Sequence, residues 1–201
     1  MMVELRTIKM LESQKIRFKG FYKIIDLDNN IILVDKENSI NYENMSLAIA
    51  NTLSGITTSQ IYTMVFGNGG SIVSGTGAIT YLPPNTNSSS ATLYNQTYQV
   101  TGLTASISSS DSNYDANNNI SVNHISGTKY SDIIIICTLG YNEPADQSAF
   151  DNTSLTDSYT FDEIGLQTQD GKLLTHAIFA PTAKALNVSL QIQYTLRIYM
   201  A

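Results

Sequence analysis

Charge is scarce in this chain. Lysine, arginine, aspartate and glutamate together make up 14% of it, against about 25% in ordinary soluble domains. Ser, Thr, Asn, Gln and Tyr fill the gap. Such a surface gains little from charge repulsion and suits a protein whose faces are contacted by neighbours; the plainer reading is a soluble secreted β domain. The remaining balance is acidic, net −6 with a pI near 4.7, which argues against a nucleic-acid-binding face. Basic residues gather only in the first two dozen positions. There Arg6, Lys9, Lys15, Arg17, Lys19 and Lys23 are interleaved with Glu4 and Glu12, the pattern of a solvated or partner-contacting arm.

Cysteine occurs once, at Cys137, which excludes an intrachain disulfide framework. It ends the run Ile133-Ile134-Ile135-Ile136-Cys137 and reads as a small buried apolar residue whose thiol pKa rises. No stretch approaches the roughly 20 apolar residues of a membrane span. The opening MMVELRTIKMLESQ lacks the continuous apolar core of a secretory signal, so synthesis and assembly in a cytoplasm is the expectation. The Asn-x-Ser/Thr triplets at Asn44, Asn87, Asn95, Asn119, Asn152 and Asn187 then read as composition and not as glycosylation sites.

What the sequence does have is β patterning. From Val188 the chain alternates without a break. Val188, Leu190, Ile192, Tyr194, Leu196, Ile198 and Met200 take one face, and Ser189, Gln191, Gln193, Thr195, Arg197 and Tyr199 the other. That period of two marks a strand with one face buried. The polar stripe opposite is nearly uncharged, and a neighbour is expected to cover it. Asp170-Gly171, between two strand-like runs, signals a two-residue hairpin turn.

Upstream, residues 1–15 read as an arm and 16–201 as a single β domain. Phe18 to Lys36 forms a hairpin around Asp28-Asn29-Asn30. One helix follows near 42–54, capped by Asn41, with Met45, Ala48, Ile49, Thr52 and Leu53 at helical spacing and Gly55 as the stop. Further strands are expected at Ile61–Phe66, Ala78–Leu82, within 91–108, at Ile120–Ile125 and at Tyr130–Leu139, the last covered on both faces at its centre. Polar loops fall near 83–90 and 108–119. Nine or ten strands and one short helix give a mainly β protein, an antiparallel β-sandwich of jelly-roll-like form.

The motifs that carry chemistry are weak. Gly67-Asn68-Gly69-Gly70, continuing to Gly77, lacks the Lys-Ser/Thr ending of a phosphate loop and leads into a strand. Tight turns with close backbone approach explain it better. Asp26, Asp28, Asn30 and Glu37 fit positions 1, 3, 5 and 12 of a calcium loop, but Ile31 stands where that loop needs Gly, so a hairpin turn is favoured. Asp111, Asn113 and Asp115 read as a solvated loop. Neither His124 nor His176 neighbours a nucleophile motif. If Asp170-Gly171 is a two-residue turn, His176 falls opposite Gly165 and near Glu163, where a cross-strand hydrogen bond outweighs an acid–base couple. No catalytic, cofactor or metal site is assigned. Twelve tyrosines and no tryptophan leave a contact surface on which Tyr81, Tyr94, Tyr98, Tyr114, Tyr130 and Tyr141 supply area and hydroxyls.

GFYKIIDLDNNIILVDKENSINYENMSLAIANTL, IYTMVFGNGG and AITYLPPNT form one block; FDEIGLQTQDGKLLTHAIFAP with the final strand forms a second. Together they cover a little over half the chain. They resemble structural proteins of tailed bacteriophages, the second block being similar to the C-terminal hairpin and closing strand of tail, neck and fibre-associated proteins. The resemblance implies a virion component without an active site, assembled in the host cytoplasm. It would oligomerise with itself and contact neighbouring neck, collar or tail proteins, with no nucleic acid or membrane partner. The candidate interface residues are Tyr114, Tyr141, Gln191, Gln193 and Arg197. The alternative is a receptor- or carbohydrate-binding module using the tyrosine-bearing loops.

Overall fold

The computed structural model describes residues 15–105, 114–144 and 158–200. Residues 1–14 of the expected arm and 108–113 of the expected polar loop lie outside the described residues.

The chain begins with the hairpin, β1 (Ile16–Asp26) and β2 (Ile31–Ile40). Its turn is closed by Asp26, whose Oδ1 accepts the Asp28 and Asn29 amides, both at 3.0 Å, and Asn30 takes the left-handed φ of 54° that Asn tolerates. Helix α1 (Tyr42–Leu53) follows. Asn41 Oδ1 accepts the Asn44 amide at 3.1 Å, and Gly55, with φ 85°, ends the helix, both as the sequence predicts. Met45 and Ala48 are buried against Ile40, Leu174 and Leu196, whereas Leu53 points into solvent.

A 3-10 turn (Thr57–Ser59) leads to β3 (Ile61–Gly67), the small hairpin β4 (Ser71–Val73) and β5 (Ile79–Tyr81), then β6 (Gln96–Thr101) and β7 (Thr104–Ala105). In the range 114–144 come β8 (Asn118–His124) and β9 (Tyr130–Leu139), and in 158–200 β10 (Ser158–Thr168), β11 (Leu173–Ala185) and β12 (Leu190–Met200). Twelve strands are thus described where nine or ten are expected. Asn118 and Asn119, read from sequence as loop, start β8.

Ten strands form one sheet in the order β6-β3-β10-β11-β2-β1-β12-β9-β8-β7, antiparallel except at β7–β8, and β4–β5 stand apart. The sheet curls at the β2–β11 junction. There only Ile40 pairs with Thr175 and Ser39 with His176, so the halves fold onto each other. Tyr22, Ile24, Ile135, Cys137, Ile192 and Tyr194 of one half share a core with Met64, Phe66, Phe161, Ile164, Leu166 and Phe179 of the other. The Tyr22 and Phe179 rings meet across the interior at 5.9 Å. The protein is a mainly β, antiparallel-rich sandwich with one short helix.

β12 runs through the middle of its half, between β1 and β9. Leu190, Ile192, Tyr194 and Leu196 are buried, so the alternation reports its inner face correctly. The face frays at its end, where Met200 is 47% exposed. The turn at Asp170-Gly171 differs from expectation. Four residues, Gln169 to Lys172, connect β10 and β11, with Gly171 at φ 82° and its amide on Thr168 O at 3.0 Å. A register shift between Leu166 and Gln167 absorbs the extra residues by the usual bulge mechanism, so Gly165 still faces His176.

Candidate functional site

The densest polar chemistry sits on the outer face of β10 and β11. Asp162 and Glu163 are adjacent on β10, flanked by Phe161 and Ile164, and both are buried. In a regular strand they would point to opposite faces. Here the register against β11 shifts between Phe161 and Glu163, and both carboxylates reach the Gly67–Gly70 turn. Asp162 accepts the Gly70 and Ser71 amides, each at 2.8 Å, and the Ser71 hydroxyl at 2.5 Å. Glu163 Oε1 accepts the Gly69 amide at 3.1 Å and the Asn95 amide at 2.8 Å; Oε2 accepts the Tyr94 amide at 3.0 Å.

His176 completes the cluster. Its Nε2 lies 2.9 Å from Glu163 Oε2, with neither side chain exposed. The Asn85 amide donates to Nδ1 at 2.8 Å. A backbone N–H can only donate, so Nδ1 carries the lone pair and Nε2 the proton: the ring is neutral in this arrangement and its tautomer is fixed. Burial alone would raise the Glu163 pKa. The hydrogen bonds from His176 and from the Asn95, Tyr94 and Gly69 amides outweigh it and hold the carboxyl below its ordinary range.

The glycine stretch is explained by the same contacts. A Cβ on Gly69 would stand 2.7 Å from Asn95 N and 2.8 Å from Tyr94 Cβ, and one on Gly70 3.1 Å from Ile178 Cγ2. The backbone must approach that closely for its amides to meet the two carboxylates. The amides that a phosphate loop would offer to a nucleotide are here spent on the protein's own anions.

The segment 83–95, part of it read from sequence as a polar loop, is a strap fastened along its length. Besides Asn85, Tyr94 and Asn95, the Asn41 and Asn44 side-chain amides donate to Ser88 O at 2.8 Å and Ser89 O at 3.3 Å. The Tyr94 hydroxyl donates to Pro83 O at 2.7 Å. Ala91 and Leu93 pack on Val65 and Leu173 in a small core of their own. The strap therefore seals Glu163 and His176 from solvent. With both ring nitrogens engaged and no access from outside, the pair has no atom to offer a substrate.

The other sequence candidates are spread out. Asp28 accepts the Ser189 amide at 2.8 Å and the Tyr141 hydroxyl, which ties the β1–β2 turn to the chain just before β12 and just after β9. Among the described residues no group of three His, Cys, Asp or Glu side chains gathers around a cation position, and no helix is long and apolar enough to cross a membrane. Cys137 is buried, and burial with nearby Glu143 pushes its thiol pKa up. Gln191 and Gln193 are half-buried on the outer face of β12 and bond each other at 2.8 Å. Arg197 grips Asp132 with Nε at 2.7 Å and Nη2 at 2.8 Å, beneath its stacking on Tyr130 at 4.3 Å. That grip, against the opposing effect of burial, lowers the Asp132 pKa. Tyr114 and Tyr141 are exposed. Tyr130 and Tyr141 flank opposite ends of β9, about 30 Å apart at strand rise, so the tyrosines form no single platform.

Sequence reasoning missed two features. Lys184, fully buried, donates to Gly140 O and Ala185 O, both at 2.9 Å, and burial lowers its pKa; one lysine among the apolar and small residues of β11 was its only signal. The other is the open side of β2. Among the described residues Ile31 to Glu37 pair with β1 alone, and Ile31, Ile32 and Leu33 are 53%, 53% and 43% exposed.

No family profile, curated protein or solved structure matches the chain.

Proposed function

We propose that this chain is a non-catalytic structural protein that works by associating with itself and with other proteins, of the kind built into tailed-bacteriophage particles. The observation that carries the reading is the open side of β2. Along Ile31–Glu37 no second strand pairs with β2 among the described residues, and three consecutive aliphatic side chains there are half in water. Folded proteins usually blunt such an edge with charge, proline or a cover. Here Asp35, Lys36 and Glu37 charge one half of the edge, and Ile31, Ile32 and Leu33 leave the other half apolar and open to another strand; the polar, nearly uncharged outer face of β12 offers a second contact surface. The buried Asp162–Glu163–His176 cluster supports the same reading, because the chain's best chemical groups hold its own loops together. The neck, collar or tail location rests on the sequence resemblance.

Mass spectrometry of purified phage particles produced by cells that express this chain tests the placement, and absence of the protein there would reject it. Ile32→Lys and Gln193→Lys test the association. Each should leave circular dichroism unchanged and weaken self-association. Unaltered association in both variants would remove these surfaces from the account.

A further inference from the structure

We infer, building on the associative role proposed above, that the outer face of β1, β12 and β9 packs against the same face of a second copy. These three strands lie side by side, flanked by β2 and β8, and their registers set the side chains in rows. Glu37, Phe21, Thr195, Ile134 and Ser121 form one row. Asp35, Lys23, Gln193, Ile136 and Asn119 form the next, and Ile32, Ile25, Gln191 and Thr138 a third. Successive residues of a strand point to opposite faces. Tyr22, Ile24, Ile135 and Cys137 line the interior, so Phe21, Ile25, Ile134 and Ile136 point outward.

Those four apolar side chains are half-buried, and among the described residues none of them joins a core cluster. A sheet face left to water is ordinarily polar. Here apolar residues flank the Gln191, Gln193 and Thr195 stripe on both sides. The margins are polar, with Asp35 and Glu37 on β2 and Asn119 and Ser121 on β8. An apolar, nearly uncharged centre within a polar rim is the arrangement of a protein interface.

A second copy is the occupant that the charges fit. Lys23 lies 3.2 Å from Asp35, and Arg197 holds Asp132 at 2.7 and 2.8 Å. The two cations beside the centre are thus answered within their own chain. The face can meet its own image without setting bare like charges together, and it gives a strongly charged partner no anchor. Glutamine amides both donate and accept, so Gln191 and Gln193 can bond their own counterparts. Each copy has one such face, and pairing it with itself closes a two-fold dimer instead of a fibre.

Isotope-filtered methyl NOEs on the full chain at neutral pH test this, in an equilibrated mixture of isoleucine-methyl-labelled and unlabelled chains where filtered cross-peaks arise only between copies. They should appear at Ile25, Ile134 and Ile136, and not at the inward Ile24 and Ile135 or at Ile72 on β4. Ile136→Lys should abolish them with the far-UV circular dichroism unchanged; cross-peaks that persist in that variant overturn the interface. Should the variant not fold, the wild-type mixture still decides. Light scattering on the same sample separates this interface from association in general. A multiple of 22.0 kDa with cross-peaks missing, or confined to Ile31 and Ile32, overturns this face and leaves association through another surface standing. The mass of a single chain overturns both.

Discussion

Replacing Glu163 with alanine should cost about 4–6 kcal/mol. The carboxylate accepts four hydrogen bonds: from the amides of Gly69 at 3.1 Å, Tyr94 at 3.0 Å and Asn95 at 2.8 Å, and from His176 Nε2 at 2.9 Å. Each buried donor left without a partner costs about 1–3 kcal/mol. A simple sum of about 4–12 kcal/mol overstates the loss, because water can enter the gap and the alanine no longer carries a buried charge. The bottom of the range, about 4–6 kcal/mol, is therefore expected, against a total stability of about 5–15 kcal/mol for a domain. A surface pair gives the contrast. Lys23 and Asp35 lie 3.2 Å apart with side chains 44% and 54% exposed, and Lys23→Ala should cost less than about 0.5 kcal/mol. Urea unfolding followed by far-UV circular dichroism measures both variants, with m-values checked for constancy. A Glu163→Ala protein within about 1 kcal/mol of wild type would refute the claim that this cluster fastens the strap and the glycine turn.

Other consequences can be checked alongside. Gly69→Ala should destabilise by about 2–3 kcal/mol, because its Cβ would press on Asn95 N and Tyr94 Cβ in a backbone contact that cannot yield cheaply; thermal denaturation reads this, and an unchanged midpoint would contradict the close-approach explanation. Ile192→Asp should prevent folding, since it places an unpaired carboxylate between Ile24 and Cys137 in the core; a soluble, cooperatively unfolding variant would count against it. Arg197→Met should make unfolding less acid-sensitive. The Asp132 pKa is depressed in the fold, so the stability it contributes is present above the unfolded carboxylate pKa and disappears as pH falls through the folded one. The difference between wild type and variant should thus be largest near neutrality and vanish in strong acid, and a pH-independent difference would show that stacking on Tyr130 matters more.

The parts of the fold set by local pattern were readable in advance. Leu190, Ile192, Tyr194 and Leu196 alternate because one face of β12 is buried, and Asn41 and Gly55 mark α1 because capping chemistry is local. The facing of Gly165 and His176 was also readable, even though the turn is longer than two residues, because a bulge restored the register. Long-range partners were not legible. Nothing near Asn85 or Ser88 in sequence reveals that His176 and Asn41 bind them, so a fastened strap looked like a solvated loop. The burial of Asp162 and Glu163 was not read from the sequence, because the backbone amides that bind them lie 68 to 94 residues away. The open side of β2 could not be read either, because alternation does not tell an edge from a centre.

The central claim, that this chain acts by association and not by chemistry, is tested most directly by its mass in solution. Light scattering on the purified full-length protein at neutral pH should give a multiple of 22.0 kDa, reduced towards one chain by Ile32→Lys. A wild-type protein that stays at one chain mass over a wide concentration range would contradict it.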